Sequence, residues 1–351
     1  MNLNASADHG ALWIDNAAAL RQTVDDLRTR LADDPRLAVD TEFIRERTYA
    51  PVLEIVQVAV ADGTVVLVDV PAVGGIGALA DLFADTSVTK IVHAGSQDFE
   101  ILSSCLGGVV PEPFFDTQVA AAFVGYGLQT GYGALVHSAL GVRLDKEEGF
   151  ADWSRRPLTA SMLAYAANDV RYLHTLHDRL GKRLGNRGRS EWASEQMARI
   201  LRGAAETVPT DQLWTKVGGK HTLDSAGLAV LRELAIWRDE EAQRRDRPRR
   251  SILKDEPLVE VSRRKPKSVN AVLELRSMPP NAGERVAREM LARVERGLAA
   301  PKETWPKLES GPSLDDDGAA LLELLSAVVR VRAMAEDLPP SLLASTDDLR
   351  Q

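Results

Sequence analysis

The chain has 351 residues, 44% hydrophobic and 27% charged, with a formal net charge of −8. That length accommodates two or more domains, and the acidic balance excludes a uniformly positive surface while leaving room for local basic patches. A single cysteine, Cys105, excludes an intrachain disulfide and a zinc–thiolate cluster and fits a reducing compartment.

The opening MNLNASADHGALW has no basic stretch followed by an apolar run. With no apolar run of roughly 18 residues either, no secretory leader or membrane span is expected, and the cytoplasm is the expected location. Residues 13–31 carry helical spacing, with Leu20, Val24, Leu27 and Leu31 on one stripe. Strand-like runs follow at Leu37–Phe43, Val52–Val60 and Thr64–Val70, the last two joined by the hairpin signal Ala61-Asp62-Gly63. Gly77–Ala84 predicts a short helix and Lys90–His93 a short strand. A helix starts at Ser96 and stops at Gly107-Gly108, and Phe114–Asp116 predicts a strand whose Asp116 caps the next helix. Gly125–Gly133 reads as a loop, with helices over about 132–140 and 159–181. Strands first, then helices interleaved with short strands, indicate an α/β domain with a mixed sheet.

After residue 185 the character changes. Asn186-Arg187-Gly188-Arg189 is a poor helix interior, Thr207–Trp214 is a connector, and an Arg-rich helical region starts at Leu223. Residues 301–318 read as a linker and 319–336 as one more helix with an apolar stripe. A single helix cannot bury its own stripe, so it either packs on another domain or is followed by further chain. The expected division is 1–206, 207–300 and 301–351.

Ala38–Phe43 reads AVDTEF, which puts Asp40 and Glu42 on one face of a strand. Like charges so placed repel unless solvent or a cation relieves them. HAGSQD places Asp98 in the first turn of a helix leaving a strand, where a carboxylate also suits the helix dipole. LAYAANDVRYL places Tyr165 and Asp169 one turn apart, beside an apolar stripe of Leu163, Ala166, Val170 and Leu173. Each signal alone fits a wet polar face. Together they supply the oxygen ligands that hard divalent cations need and that two-ion phosphodiester cleavage uses.

These motifs resemble those of the DEDD superfamily of 3′→5′ exonucleases, in the branch with Tyr ahead of the last Asp. VDTEF-x-R-x-R-T-Y at 39–49, KIVHAGSQD at 90–98, FDTQ-x-AAAF at 115–123, and LDK with DW-x-x-RPLT at 144–159 are similar in order and spacing to bacterial ribonuclease D, over about residues 13–300. The resemblance implies a ribonuclease-H-like fold and a metal-dependent 3′→5′ exoribonuclease that trims structured RNA such as tRNA precursors with two Mg²⁺ or Mn²⁺. It implies that Asp40 bridges both ions, that Glu42 and Asp169 complete one metal site, and that Asp98 serves the other. Tyr165 would orient the attacking water.

AVLRELAIWRDEEAQRRDRPRRSILKDEPLVEVSRRKP resembles an HRDC domain, an all-α module, and residues 319–345 resemble only the first part of a second one. Arg244, Arg245, Arg247, Arg249, Arg250, Arg263, Arg264, Lys265 and Lys267 are candidate phosphate contacts, or else a solvated face. Arg179, Lys182, Arg183, Arg187 and Arg189 either extend that track or decorate a helix end. His174 and His177 read as surface histidines, and Trp153 as a base-stacking or a buried ring. Two other functions fit. A DNA exonuclease shares the motifs, and only a contact to the 2′-hydroxyl separates it. A silent RNA-binding adaptor would have lost carboxylates, and all four are present here. No protein partner is identifiable.

Overall fold

The computed structural model describes residues 10–144, 151–205, 208–308 and 314–350. Asp145 and Lys146 of the LDK motif and part of the expected linker lie outside them. Described residues up to Ile44, from Leu53 to 205 and from 314 onward form one unit, and Arg45–Val52 with 208–308 form a second.

The first unit is built on six strands: β1 (Leu12–Ile14), β2 (Arg36–Ile44), β3 (Val52–Val60), β4 (Val65–Asp69), β5 (Thr89–Val92) and β6 (Phe114–Asp116), in the order β1-β4-β3-β2-β5-β6. β3 and β4 form the antiparallel hairpin, with Ala59 opposite Val65 and Gly63 turning at φ +91°. The pairs β1–β4, β2–β5 and β5–β6 are parallel, so the sheet is mixed. The first predicted helix starts late. Trp13 lies in β1, a three-residue strand paired with β4 and too short to show a period. Asn16 then accepts a hydrogen bond from the Ala19 amide (2.9 Å) to open α1 (Ala17–Leu31).

Alternation along β2 sorts its side chains. Leu37 and Val39 join the core on the α1 side with Leu20, Val24 and Leu27. Ala38 faces the opposite core, with Ala166, Ala167 and Val170. Further helices are α2 (Ser96–Cys105), α3 (Thr117–Phe123), α4 (Tyr132–Leu140), α5 (Ala160–Arg171), α6 (Leu173–Asn186) and α7 (Ser190–Ala205). The single helix expected over 159–181 is therefore two, broken at Tyr172, and α7 lies where no helix was assigned. His174 is buried against the Arg36 carbonyl (3.0 Å), and His177 Nδ1 meets the Arg36 guanidinium (3.0 Å). Neither is a free surface histidine, because both cover Arg36 of β2.

The second unit packs α8 (Ser225–Arg245), α9 (Asp255–Arg264) and α10 (Glu284–Ala299) around Leu228, Leu231, Leu234, Leu258, Met290 and Val294. Arg238 of α8 reaches Asp255 of α9 (2.7 Å), a pair only 7% and 10% exposed, which fixes how the two helices meet.

In the first unit, α11 (Asp316–Glu336) is held at its C-terminal end. Arg189 donates to the Glu336 carboxylate (3.0 Å), and Leu338 is buried with Val119 and Leu180. Its Leu321, Leu324, Val328, Val331 and Met334 are exposed. Among the described residues no helix is long and apolar enough to cross a membrane.

A Cβ at Gly297 of α10 would stand 2.8 Å from the Val230 Cα and 2.9 Å from the Ala229 carbonyl of α8. Gly297→Ala is expected to destabilise the second unit by about 1–3 kcal/mol, read as a lowered midpoint in urea.

Candidate active site

Ala38, Asp40 and Glu42 lie on one face of β2. The apolar contact of Ala38 with α5 therefore carries the two carboxylates to the same helix. The small side chains of Ala166 and Ala167, both fully buried, bring α5 close to the sheet. Asp169 then stands over the strand. Oxygens of Asp40, Glu42 and Asp169 all lie within 4.8 Å of one another.

Asp98 arrives from the other side. Thr41, which alternates to the opposite face of β2, donates its hydroxyl hydrogen bond to Asp98 in the first turn of α2. Asp98 is 8% exposed and stands outside the three-oxygen cluster, although its charge reaches it. Tyr165 lies one turn before Asp169 on α5, its ring 6.2 Å from that of Trp153. Trp153 is 3% exposed, which settles it as a buried ring.

The electrostatics follow from crowding. Burial raises Asp40 well above the usual carboxylate range, and Asp98, Asp169 and Glu42 raise it further. Burial with Asp169 and Asp98 pushes Glu42 up to about 9, and burial with Asp98 pushes Asp169 up to about 8. Burial, then the charges of Asp169, Glu42 and Asp40, also raise the Tyr165 phenol. Such a set needs protons or a cation. Its donors are all hard oxygens, so the residues fit a divalent metal of the Mg²⁺ or Mn²⁺ type.

Sequence reading assigned Asp116 only a capping role, and the structure gives it a second. Its carboxylate accepts from the Gln118 (2.8 Å) and Val119 (3.3 Å) amides of α3, and also from the Ala94 and Gly95 amides (3.1 Å each). Those two residues form the turn that launches α2. Ala94 sits at φ +57°, and a Cβ at Gly95 would stand 2.6 Å from Val92. Asp116 thus clamps the turn that aims Asp98. Nothing in the local sequence indicates this second role, because Ala94 and Gly95 lie 22 and 21 residues earlier in the chain.

In the second unit, the candidate phosphate contacts are mostly engaged internally. Arg244 and Arg245 pair with Glu241, Arg249 with Asp239, Arg250 with Asp255, Arg264 with Glu260, and Lys265 with Asp224. Arg247 donates to the Arg47 carbonyl (3.4 Å) and Arg263 to the Thr222 hydroxyl (2.6 Å). Lys267 is exposed and forms no ion pair with a described residue. In the first unit, Arg183 bonds the Tyr126 hydroxyl and Arg189 the Phe123 carbonyl, so part of the other basic run is structural.

Residues 14–185 match the 3′-5′ exonuclease family and residues 227–294 the HRDC domain. The ribonuclease D of Nitrobacter hamburgensis is 38% identical over 324 residues, spanning 92% of this chain and 84% of its own. That of Xanthomonas oryzae is 36% identical over 337 residues, spanning 95% and 89%. The chain belongs to the ribonuclease D family. The crystal structure of Escherichia coli RNase D, described as an exoribonuclease involved in structured RNA processing, superposes with a TM-score of 0.85 at 28% identity, covering 97% of this chain and 89% of that one. Ribonuclease D membership, with the exonuclease and HRDC matches, makes this protein a 3′→5′ exoribonuclease that acts on nucleic acid with a divalent metal. It also bears out the ribonuclease-H-like α/β unit followed by an all-α HRDC region.

Glu42 and Asp169 titrate near 4 in an unfolded chain but near 9 and 8 in the metal-free fold. Between those values the fold keeps protons that the unfolded chain has released, so metal-free stability falls as pH rises. The melting temperature of the metal-free protein is expected to drop by about 3 °C or more from about pH 5.5 to about pH 8.5. Added Mn²⁺ should raise it most at the alkaline end, and Asp169→Asn should flatten the decline. A melting temperature flat across that range would contradict the crowding.

Proposed function

We propose that the protein trims the 3′ ends of structured RNA, such as tRNA precursors, in the cytoplasm, by hydrolysis that uses two Mg²⁺ or Mn²⁺ ions. The observation that carries this reading is the convergence of Asp40, Glu42 and Asp169 oxygens within 4.8 Å, with Asp98 held beside them. Asp40 would serve both ions, Glu42 and Asp169 would complete the site nearest the attacking water, and Asp98 would serve the second. When bound, the ions supply charge neutralisation, water activation and stabilisation of the leaving oxygen.

The chain's own groups do the rest. Apolar packing of α5 on β2 holds the carboxylates in place against their repulsion. Tyr165, whose phenol is raised by burial and by the neighbouring carboxylates, keeps its proton at neutral pH. It therefore orients the attacking water as a hydrogen-bond donor and does not act as a base. In the HRDC region, Lys267 and the outward faces of the paired arginines would meet phosphates without reading sequence.

The test uses matched RNA and DNA strands labelled at the 3′ or the 5′ end. Mononucleotide release from the 3′ label, a ladder from the 5′ label and preference for RNA are expected. Asp40→Ala should lower turnover by at least about a thousandfold with folding retained, because the variant loses a ligand common to both ions. Tyr165→Phe should lower turnover by about tenfold to a hundredfold while leaving Mn²⁺ binding intact. Full activity of Tyr165→Phe in single-turnover measurements would remove the tyrosine from the reaction.

A further inference from the structure

No proline or glycine marks the break between α5 and α6. Residues 160–180 contain neither, and the apolar stripe runs through Val170 and Leu173 without interruption. In a continuous helix the Tyr172 amide would donate to the Asn168 carbonyl, four residues back. Here a third group stands between them. The Tyr132 hydroxyl donates to the Asn168 carbonyl (2.8 Å) and accepts from the Tyr172 amide (3.3 Å). One hydroxyl has the donor and the acceptor that this bridge requires. A side chain inserted into the i→i−4 ladder is an established cause of a sharp helix break.

Asp169 is the first of the three residues inside that opened turn. We infer that Tyr132 is a positioning residue for the reaction, whose inserted hydroxyl holds open the last turn of α5 and so sets where the Asp169 carboxylate meets Asp40 and Glu42. This rests on the assignment of Asp169 to the metal site.

Tyr132 is itself fixed. It opens α4, and its ring meets the His93 ring edge-on, with centroids 5.4 Å apart. The two nitrogens of His93 lie 2.9 Å from the Thr117 hydroxyl and 3.0 Å from the Thr130 carbonyl. His93 immediately precedes the Ala94-Gly95 turn that launches Asp98. One Tyr–His contact therefore ties the elements bearing Asp98 and Asp169 together. Nothing in the spacing of Tyr132 from either acid reveals this.

The test is Tyr132→Phe, which keeps the ring and removes the bridge. Hydrogen–deuterium exchange of the metal-free protein is read over residues 166–176, Mn²⁺ binding is measured by calorimetry, and kcat and KM are determined on a short unstructured RNA. Exchange should change locally in that stretch, Mn²⁺ affinity should fall by about fivefold or more, and kcat should fall by about tenfold with KM nearly unchanged. Tyr165→Phe is the contrast, because it should lower kcat without altering exchange at 166–176. Unchanged exchange and unchanged Mn²⁺ affinity in Tyr132→Phe would overturn the inference even if kcat fell. If Tyr132→Phe is too unstable to purify, His93→Gln is measured the same way, and unchanged exchange over 166–176 there would equally overturn it. If Asp169→Asn retained full activity and Mn²⁺ binding, the site assignment would fail, whereas a local exchange change in Tyr132→Phe would still stand as helix geometry.

Discussion

Mutual repulsion among buried carboxylates is the constraint around which the first unit is arranged. Charges at most 4.8 Å apart repel by about 3–4 kcal/mol per pair at an effective dielectric of about 20. Three such pairs approach the entire stability of an ordinary domain, about 5–15 kcal/mol. The fully ionised, metal-free cluster is therefore untenable, and the raised proton affinities of Glu42 and Asp169 are the alternative to a bound cation. Apolar packing makes the crowding possible. Ala38, Ala166, Ala167 and Val170 are fully buried, and they force strand and helix together whatever the carboxylates prefer.

Placement is then refined by groups that never touch the reacting atoms. Asp116 takes four backbone amides from two different segments and so links the start of α3 to the turn before α2. Thr41 fastens Asp98 to the strand that carries Asp40. Buried hydrogen bonds of this kind are costly to leave half-made, so they hold the turn before Asp98 in one arrangement.

The second unit shows how composition overstates free charge. Glu241, 6% exposed on its side chain, receives Arg244, Arg245 and Arg285, and its carboxyl is held far below the usual range chiefly by the Arg244 hydrogen bonds. Paired arginines of this sort still present donors outward, since Arg244 and Arg285 keep more than half of their side-chain surface exposed. Their positive potential is nonetheless shared with an internal acid, so phosphate affinity there depends on the ion-pair network and not on the number of arginines.

The sequence by itself determined the elements whose signals are local. The alternation of AVDTEF, the Asp116 cap, the hairpin at Gly63 and the stripe of α1 each depend on neighbours within a few residues, and all appear in the structure. The shared faces of Asp40 with Glu42 and of Tyr165 with Asp169 were also legible, because i,i+2 on a strand and i,i+4 on a helix fix them without knowledge of the fold. Tertiary structure decided what depends on residues far apart in the chain. β1 exists only by pairing with β4, Trp153 and His174 are buried only because distant strands cover them, and Lys265 and Arg285 of the HRDC region find their acids far along the chain, at Asp224 and Glu241. The break at Tyr172 is the clearest case. The apolar period continues through it without proline or glycine, and a hydroxyl 40 residues earlier in the chain interrupts the helix by bonding both the Asn168 carbonyl and the Tyr172 amide.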